Sequence, residues 1–161
     1  ASFSSQRLKT WLTATDTPVE LAQPDTSYDL GDGVILRILA VSTRGAVVSI
    51  EMGNFKTILP IGVNFDVFTL LNNGSGLGPV TGLLISESGY APANPPDWLA
   101  NLKPQVAILS VAAGDPDGLP SPDVIARFEK YNLIRTDKSG WIDLASDGQQ
   151  LWITSERSDL P

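Results

Sequence analysis

One stretch constrains this chain more than any other. Val106-Ala107-Ile108-Leu109-Ser110-Val111 is a nearly unbroken apolar run of strand length. A strand apolar at consecutive positions has no solvent face, so it belongs inside a sheet covered on both sides. A proline-initiated helix signal stands on either side of it. In Pro95-Pro96-Asp97-Trp98-Leu99-Ala100-Asn101-Leu102 a proline occupies the first turn, and Trp98, Leu99 and Leu102 fall together. In Ser121-Pro122-Asp123 a cap residue, an N1 proline and a first-turn acid precede Val124, Ile125 and Phe128 on one face, with Lys130 in the last turn. Helix, buried strand and helix in succession predict residues 106–110 as a central strand, flanked by helices near 96–103 and 122–131, in an α/β layer.

The first half has another rhythm. Leu8, Trp11 and Leu12 are spaced as one face of a short helix. Residues 19–22 read as a short strand, and 23–29 as a polar loop. Residues 34–41, 46–52 and 55–59 are rich in β-branched and alternating apolar residues, separated by the turns Thr43-Arg44-Gly45 and Gly53-Asn54. They predict an antiparallel meander, with Pro60 stopping the third strand. Phe65, Phe68, Leu70 and Leu71 suggest a short helix ended by the Gly/Asn/Ser stretch 72–78, and 80–86 is a second apolar strand. Beyond 131, residues 133–136, 141–145 and 151–154 read as short strands, with turns at 137–140 and 146–148. The expectation is one domain over 1–161: a mixed sheet with helices on at least one face.

Composition removes whole classes of chemistry. The 161 residues contain no cysteine and no histidine. Thiolate nucleophiles, disulfides, imidazole bases, Ser-His-Asp triads and every His or Cys metal site are thereby excluded within this sequence. Eleven basic against 18 acidic residues give a net charge of −7, which repels a phosphate backbone and argues against independent nucleic-acid binding. No run of about 18 apolar residues is present, so no membrane span is expected. The first residues lack a charged start followed by an apolar stretch, so no signal peptide is expected either.

The remaining motifs have plain readings. Asn73-Gly74-Ser75-Gly76-Leu77-Gly78 follows a helix and precedes a strand, the reverse of a phosphate-cradling loop, and reads as a flexible connector. Asn73-Gly74-Ser75 is also a formal glycosylation acceptor. Asp115-Pro116-Asp117-Gly118 resembles the start of a calcium loop, but Ala126 stands where the bidentate glutamate belongs, so a turn is expected. Asp25, Asp29 and Asp32 read as a solvated loop. Trp11, Trp98, Trp141 and Trp152 sit in apolar patterns and read as core. A carboxylate pair such as Glu87 with Asp115 could in principle do acid–base work, but nothing in the sequence shows that they meet.

Several segments in order carry a resemblance. Ser121-Pro122-Asp123-Val124-Ile125-Ala126-Arg127-Phe128, then Arg135-Thr136-Asp137-Lys138-Ser139-Gly140-Trp141-Ile142, then Ser146-Asp147-Gly148 resemble the end of the metallo-β-lactamase-like domain of ComEC-type DNA-internalisation competence proteins. Lys103-Pro104-Gln105 with the apolar run ending at Ser110, Leu30-Gly31-Asp32-Gly33-Val34-Ile35-Leu36 and Ile58-Leu59-Pro60-Ile61-Gly62 are similar to segments upstream in that family. The likeness spans about 19–154. It implies half of an αββα sandwich, a mixed sheet with flanking helices.

The same resemblance implies that the metal chemistry is gone. Val63 stands where the family has its metal-bridging aspartate. Glu87 and Ser88 fall on the two histidines of its histidine-histidine-glycine-serine motif. Leu119 falls on a further histidine. The family's histidine-x-histidine-x-aspartate-histidine motif belongs to the other half of the domain, which has no counterpart in these 161 residues. No catalytic residue, no metal and no cofactor is therefore expected. What the likeness implies instead is a catalytically inactive module with a structural or protein-interaction role, in a ComEC-like DNA-uptake protein or a derived one. It would pair with another half or self-associate, as a homodimer for instance, and would lie on the extracytoplasmic face of the membrane in a ComEC-like setting. Two alternatives stand beside it. One is the C-terminal part of a metal-dependent hydrolase or nuclease whose metal site lies upstream. The other is an unrelated α/β domain that binds a small molecule at the sheet's carboxyl ends.

Overall fold

In the computed structural model, which describes residues 3–157, the elements follow in the order α1 (Phe3–Ala14), β1 (Ser27–Asp29), β2 (Ile35–Val41), β3 (Ala46–Met52), β4 (Phe55–Ile61), α2 (Phe65–Leu70), β5 (Gly82–Leu84), α3 (Pro96–Leu102), β6 (Val106–Leu109), α4 (Pro122–Phe128), β7 (Asn132–Arg135), α5 (Thr136–Ser139), β8 (Ile142–Ser146) and β9 (Leu151–Ser155). Seven strands form one mixed sheet in the order β1 to β7, and β8 pairs only with β9. The strands β1 to β4 are an antiparallel meander, and β4 to β7 run parallel. The α/β class and the flanking helices expected from the sequence are present. Among the described residues, no helix is long and apolar enough to cross a membrane.

Connectivity decides which face the helices cover. Each step from β4 to β5, β6 and β7 is a parallel crossover through a helix. Such crossovers are right-handed, so a monotonic strand order puts α2, α3 and α4 on the same face. The core follows from that. Val67, Phe68, Trp98, Leu99, Leu102, Val124 and Phe128 from the helices cluster with Val47, Ile58, Leu83, Ala107 and Leu109 from the sheet. Phe68 and Trp98 meet edge to face, their ring centroids 4.9 Å apart. The registers Ser49↔Ile58, Ile58↔Leu83 and Leu83↔Ala107 put these sheet residues on one side.

The opposite side carries Val48, Ile50 and Leu59 in the meander, and Thr57, Gly82, Val106 and Ile134 in the parallel part. Those last four are buried, although the helices lie across the sheet from them. The β8–β9 hairpin is the element left to cover them. It starts beyond the carboxyl end of β7 and its tip meets the β3–β4 turn, where the Asn54 amide donates to the Gly148 carbonyl at 2.6 Å. Gly53 (φ +56) is required there, because a Cβ would sit 2.6 Å from the Gly148 carbonyl oxygen. Asp147 closes the tip: its Oδ1 accepts from the Gln150 and Gln149 amides at 2.8 and 2.9 Å. Those bonds hold its carboxyl below the usual range.

Several expectations are corrected. Residues 19–22 are not a strand but exposed loop, since no neighbouring strand offers them a ladder. Pro60 does not stop β4; it pairs with Val47 inside the strand. The reason is that β5 pairs with β4 only at Thr57 and Ile58, so beyond them one edge of β4 has no ladder for a missing N–H to break. Val106, Ala107 and Leu109 are buried as expected and Ile108 partly so, yet β6 is second from the edge, because the meander extends the sheet on one side only. Residues 137–140 are no simple turn: α5 winds one helical turn and ends on Gly140 at φ +72. The stretch 72–78 is no loose connector. It includes a short 3-10 turn, and its Gly74 packs so closely on Trp98 that a Cβ would lie 3.0 Å from the indole. Of the four tryptophans only Trp98 is core, at 2% exposure; Trp11, Trp141 and Trp152 are exposed.

Candidate functional site

In a sheet with parallel strands, the loops at the carboxyl ends gather at one rim, and ligands bind there. Here the rim holds the segments after β4, β5, β6 and β7, and also the β2–β3 turn, since β3 runs antiparallel to β4 and Ala46 pairs with Ile61. The positions Val63, Glu87, Ser88 and Leu119 all lie in these segments.

A series of contacts joins them. Gly45 and Gly62 press the β2–β3 turn onto the end of β4. A Cβ on Gly62 (φ +61) would lie 2.9 Å from the Arg44 carbonyl oxygen, and one on Gly45 would overlap the Ile61 carbonyl. Arg44 reaches from that turn to Glu87, with Nη2 3.5 Å from the carboxylate. Glu87 opens a left-handed turn. Glu87, Ser88 and Gly89 have φ of 44°, 51° and 82°, a backbone that costs a side-chain-bearing residue roughly 1–2 kcal/mol. The turn persists because its end is fastened to the loop after β6. The Ser121 amide donates to the Gly89 carbonyl at 3.1 Å. The Ala91 amide donates to Ser121 Oγ at 3.2 Å. Ser121 is therefore not the side-chain cap of α4 that the sequence suggests; its hydroxyl joins two rim segments. Pro120 fills the space over Gly89, where a Cβ would sit 2.6 Å from the Pro120 Cβ. Leu119, next in the chain, packs against the core.

Asn94 clamps the strand end behind this turn. Its Oδ1 accepts from the Ser86 amide at 3.0 Å, and its Nδ2 donates to the Ser86 and Tyr90 carbonyls at 3.0 and 2.8 Å. Arg127 from α4 donates to the Asn94 carbonyl at 2.7 Å. The Ser86 hydroxyl is buried without a partner. At the far end of the rim, Thr136 Oγ1 accepts from the Val111 amide and donates to the Val111 carbonyl, both at 2.8 Å, tying β7 to the end of β6. Arg135 grips Asp137 with two hydrogen bonds of 2.9 and 2.6 Å. That guanidinium holds the Asp137 carboxyl below its usual range against the opposing effect of burial.

The chemistry at the rim is that of a closed structure. Val63 is 1% exposed and belongs to the core. Leu119 offers no donor atom. Glu87 faces a guanidinium, which repels a cation. Among the described residues no three His, Cys, Asp or Glu side chains converge, so the donor set for a zinc or manganese ion does not fit here. Glu87 and Asp115 do not form a working pair. Asp115 Oδ1 accepts from the amides of Asp117 and Leu119, at 3.0 and 3.3 Å, in an ordinary turn. Asp29 is not in the loop that the sequence suggests for 23–29: it ends strand β1, which pairs with β2, and its exposed carboxylate accepts from the Gly31 amide at 2.9 Å. Asn73-Gly74-Ser75 precedes β5 and so lies at the sheet's other edge.

Sequence reasoning brought out Val63, Glu87, Ser88 and Leu119 but missed Arg44, Asn94 and the unpartnered Ser86. Glu87 and Arg44 are 43 residues apart, and no local pattern announces such a contact. Asn94, between Ala93 and Pro95, carried a weaker signal: a buried amide ahead of a proline-initiated helix has backbone groups to satisfy.

Compared with models of known protein families, the sequence matches none, and it has no significant match among curated proteins.

Proposed function

We propose that this chain is a catalytically inactive α/β module, related to one half of a metallo-β-lactamase-like domain of the ComEC type, that works through protein contact. The observation that carries the reading is the state of the rim. Where a metallohydrolase would present ligands, this chain packs Val63 into the core, turns Leu119 inward and pairs Glu87 with Arg44. Burying apolar groups there avoids the penalty of unpaired buried carboxylates or imidazoles. The rim loops are still fastened together, so its framework serves stability.

Two measurements test this. Protein purified without chelator is expected to hold no stoichiometric zinc, manganese or iron by mass spectrometry. With added manganese or zinc it is expected to hydrolyse neither a phosphodiester nor a β-lactam above the buffer rate. Stoichiometric metal, or metal-dependent turnover abolished by Glu87→Gln, contradicts the proposal. DNA binding is expected to be absent at moderate salt, as the net charge of −7 dictates.

A further inference from the structure

We propose that the open face of the seven-stranded sheet receives α1 of a second copy of this chain, so that two chains exchange their N-terminal helices. The inference rests on the contact-module reading and names its partner. On the side away from the core helices Ile38 is buried, but Leu36, Val48, Ile50 and Leu59 around it are only partly buried, and Ile61 beside them is 55% exposed. The register that gathers these residues sends Arg37, Glu51 and Lys56 to the other side. A sheet face turned to water is ordinarily the polar one. An open face without charge, in a chain that has 29 charged residues to place, is built to be covered.

The chain supplies a matching occupant. On α1, Leu8 and Trp11 lie one turn apart on one side and are 56% and 60% exposed. Among the described residues α1 makes no extended contact with another element. It carries Arg7 and Lys9 and no acid, in a chain of net charge −7, so the rest of a second copy attracts it. The dimensions agree. Twelve residues of helix are about 18 Å long and about 10 Å across. Seven-residue strands run about 23 Å, and β2 to β4 are about 10 Å wide. Residues 15–25 between α1 and β1 are exposed throughout and can span roughly 36–40 Å. A helix with an apolar side on an exposed arm, in a chain with an uncharged, partly open sheet face, has the geometry of a swapped element.

The absence of cysteine makes the test clean. Single-cysteine proteins Leu8→Cys and Ile50→Cys are mixed and oxidised, with Trp11→Cys and Leu36→Cys as a second pair. Light scattering follows the wild type and Trp11→Asp, and circular dichroism confirms that each variant folds. The expected results are a wild-type dimer, disulfides joining helix-cysteine to sheet-cysteine chains, and dimerisation weakened on the order of tenfold or more by Trp11→Asp. A wild-type monomer, a dimer indifferent to Trp11→Asp, or a Leu8→Cys/Ile50→Cys double variant that crosslinks only within one chain overturns the proposal. The hydrolysis assay is read separately: an inert monomer defeats the exchange alone, and an active dimer defeats the inactive-module reading alone.

Discussion

The two faces of the seven-stranded sheet are made by the same strands and have opposite fates. On one face Val47, Ile58, Leu83, Ala107 and Leu109 are at most 2% exposed beneath three helices. On the other, Val48, Ile50 and Leu59, the alternate residues of the same strands, are only partly buried. Composition does not separate them, since Val, Ile and Leu dominate both sets. Connectivity does. Right-handed crossovers send α2, α3 and α4 to one side, and the hairpin beyond β7 comes back as far as the β3–β4 turn. Apolar alternation thus specifies that a residue wants cover; the path of the chain specifies whether it gets any.

The largest effect expected from this contrast is on the closed face. Ile58→Asp buries an unpaired charge where no water reaches, costing several kcal/mol, comparable with a small domain's whole stability. The protein is expected to be insoluble or unfolded by circular dichroism, and an unchanged melting temperature would refute the assignment of faces. Leu109→Ala removes packing without adding charge and is expected to cost about 2–5 kcal/mol in a urea titration. Val48→Ala, on the open face, is expected to cost under about 1 kcal/mol in the same titration at protein concentrations that leave the chain monomeric.

These faces also mark what the sequence made legible. The strand at 106–109 and the helices after Pro95 and Ser121 follow from patterns within ten residues and form where expected along the chain, although the strand is second from the edge and not central. The tryptophans mislead because an apolar neighbourhood in sequence does not say which side of a strand is covered. Trp152 lies opposite Ala145 on the outward side of a two-stranded hairpin, and Trp11 is on a helix that, among the described residues, makes no extended contact with another element. The rim shows the same division. The residue types at Val63 and Leu119 could be read as unfit for metal from the sequence alone. The Arg44–Glu87 contact and the Asn94 clamp could not, because each depends on distant segments meeting.

Smaller effects sharpen the account of the rim. Gly89→Ala forces a Cβ against Pro120 in a left-handed backbone and is expected to cost about 1–3 kcal/mol. Gly31→Ala has a comparable φ of 89° but open space around it, and is expected to cost only the backbone part, about 1 kcal/mol. Asp137 tests the electrostatics. Its carboxyl is held low by Arg135, so the pair stabilises the fold fully above the unfolded value of about 3.9 and is lost as pH falls through the lower folded value. Asp137→Asn is expected to flatten the acid limb of the stability profile and, since solvent at the rim screens the pair, to lower neutral stability by under about 1 kcal/mol. Arg44→Ala, on a guanidinium that is 66% exposed, is expected to change stability least, by about 0–1 kcal/mol. A larger loss there would mean that the pair holds the left-handed turn in place.

The most direct measurement is the melting temperature as a function of protein concentration. If the open face is covered by a second copy, unfolding releases the partner, and the melting temperature must rise with concentration. It is expected to rise for the wild type and to stay level for Trp11→Asp. A wild-type melting temperature independent of concentration over a hundredfold range would contradict the account.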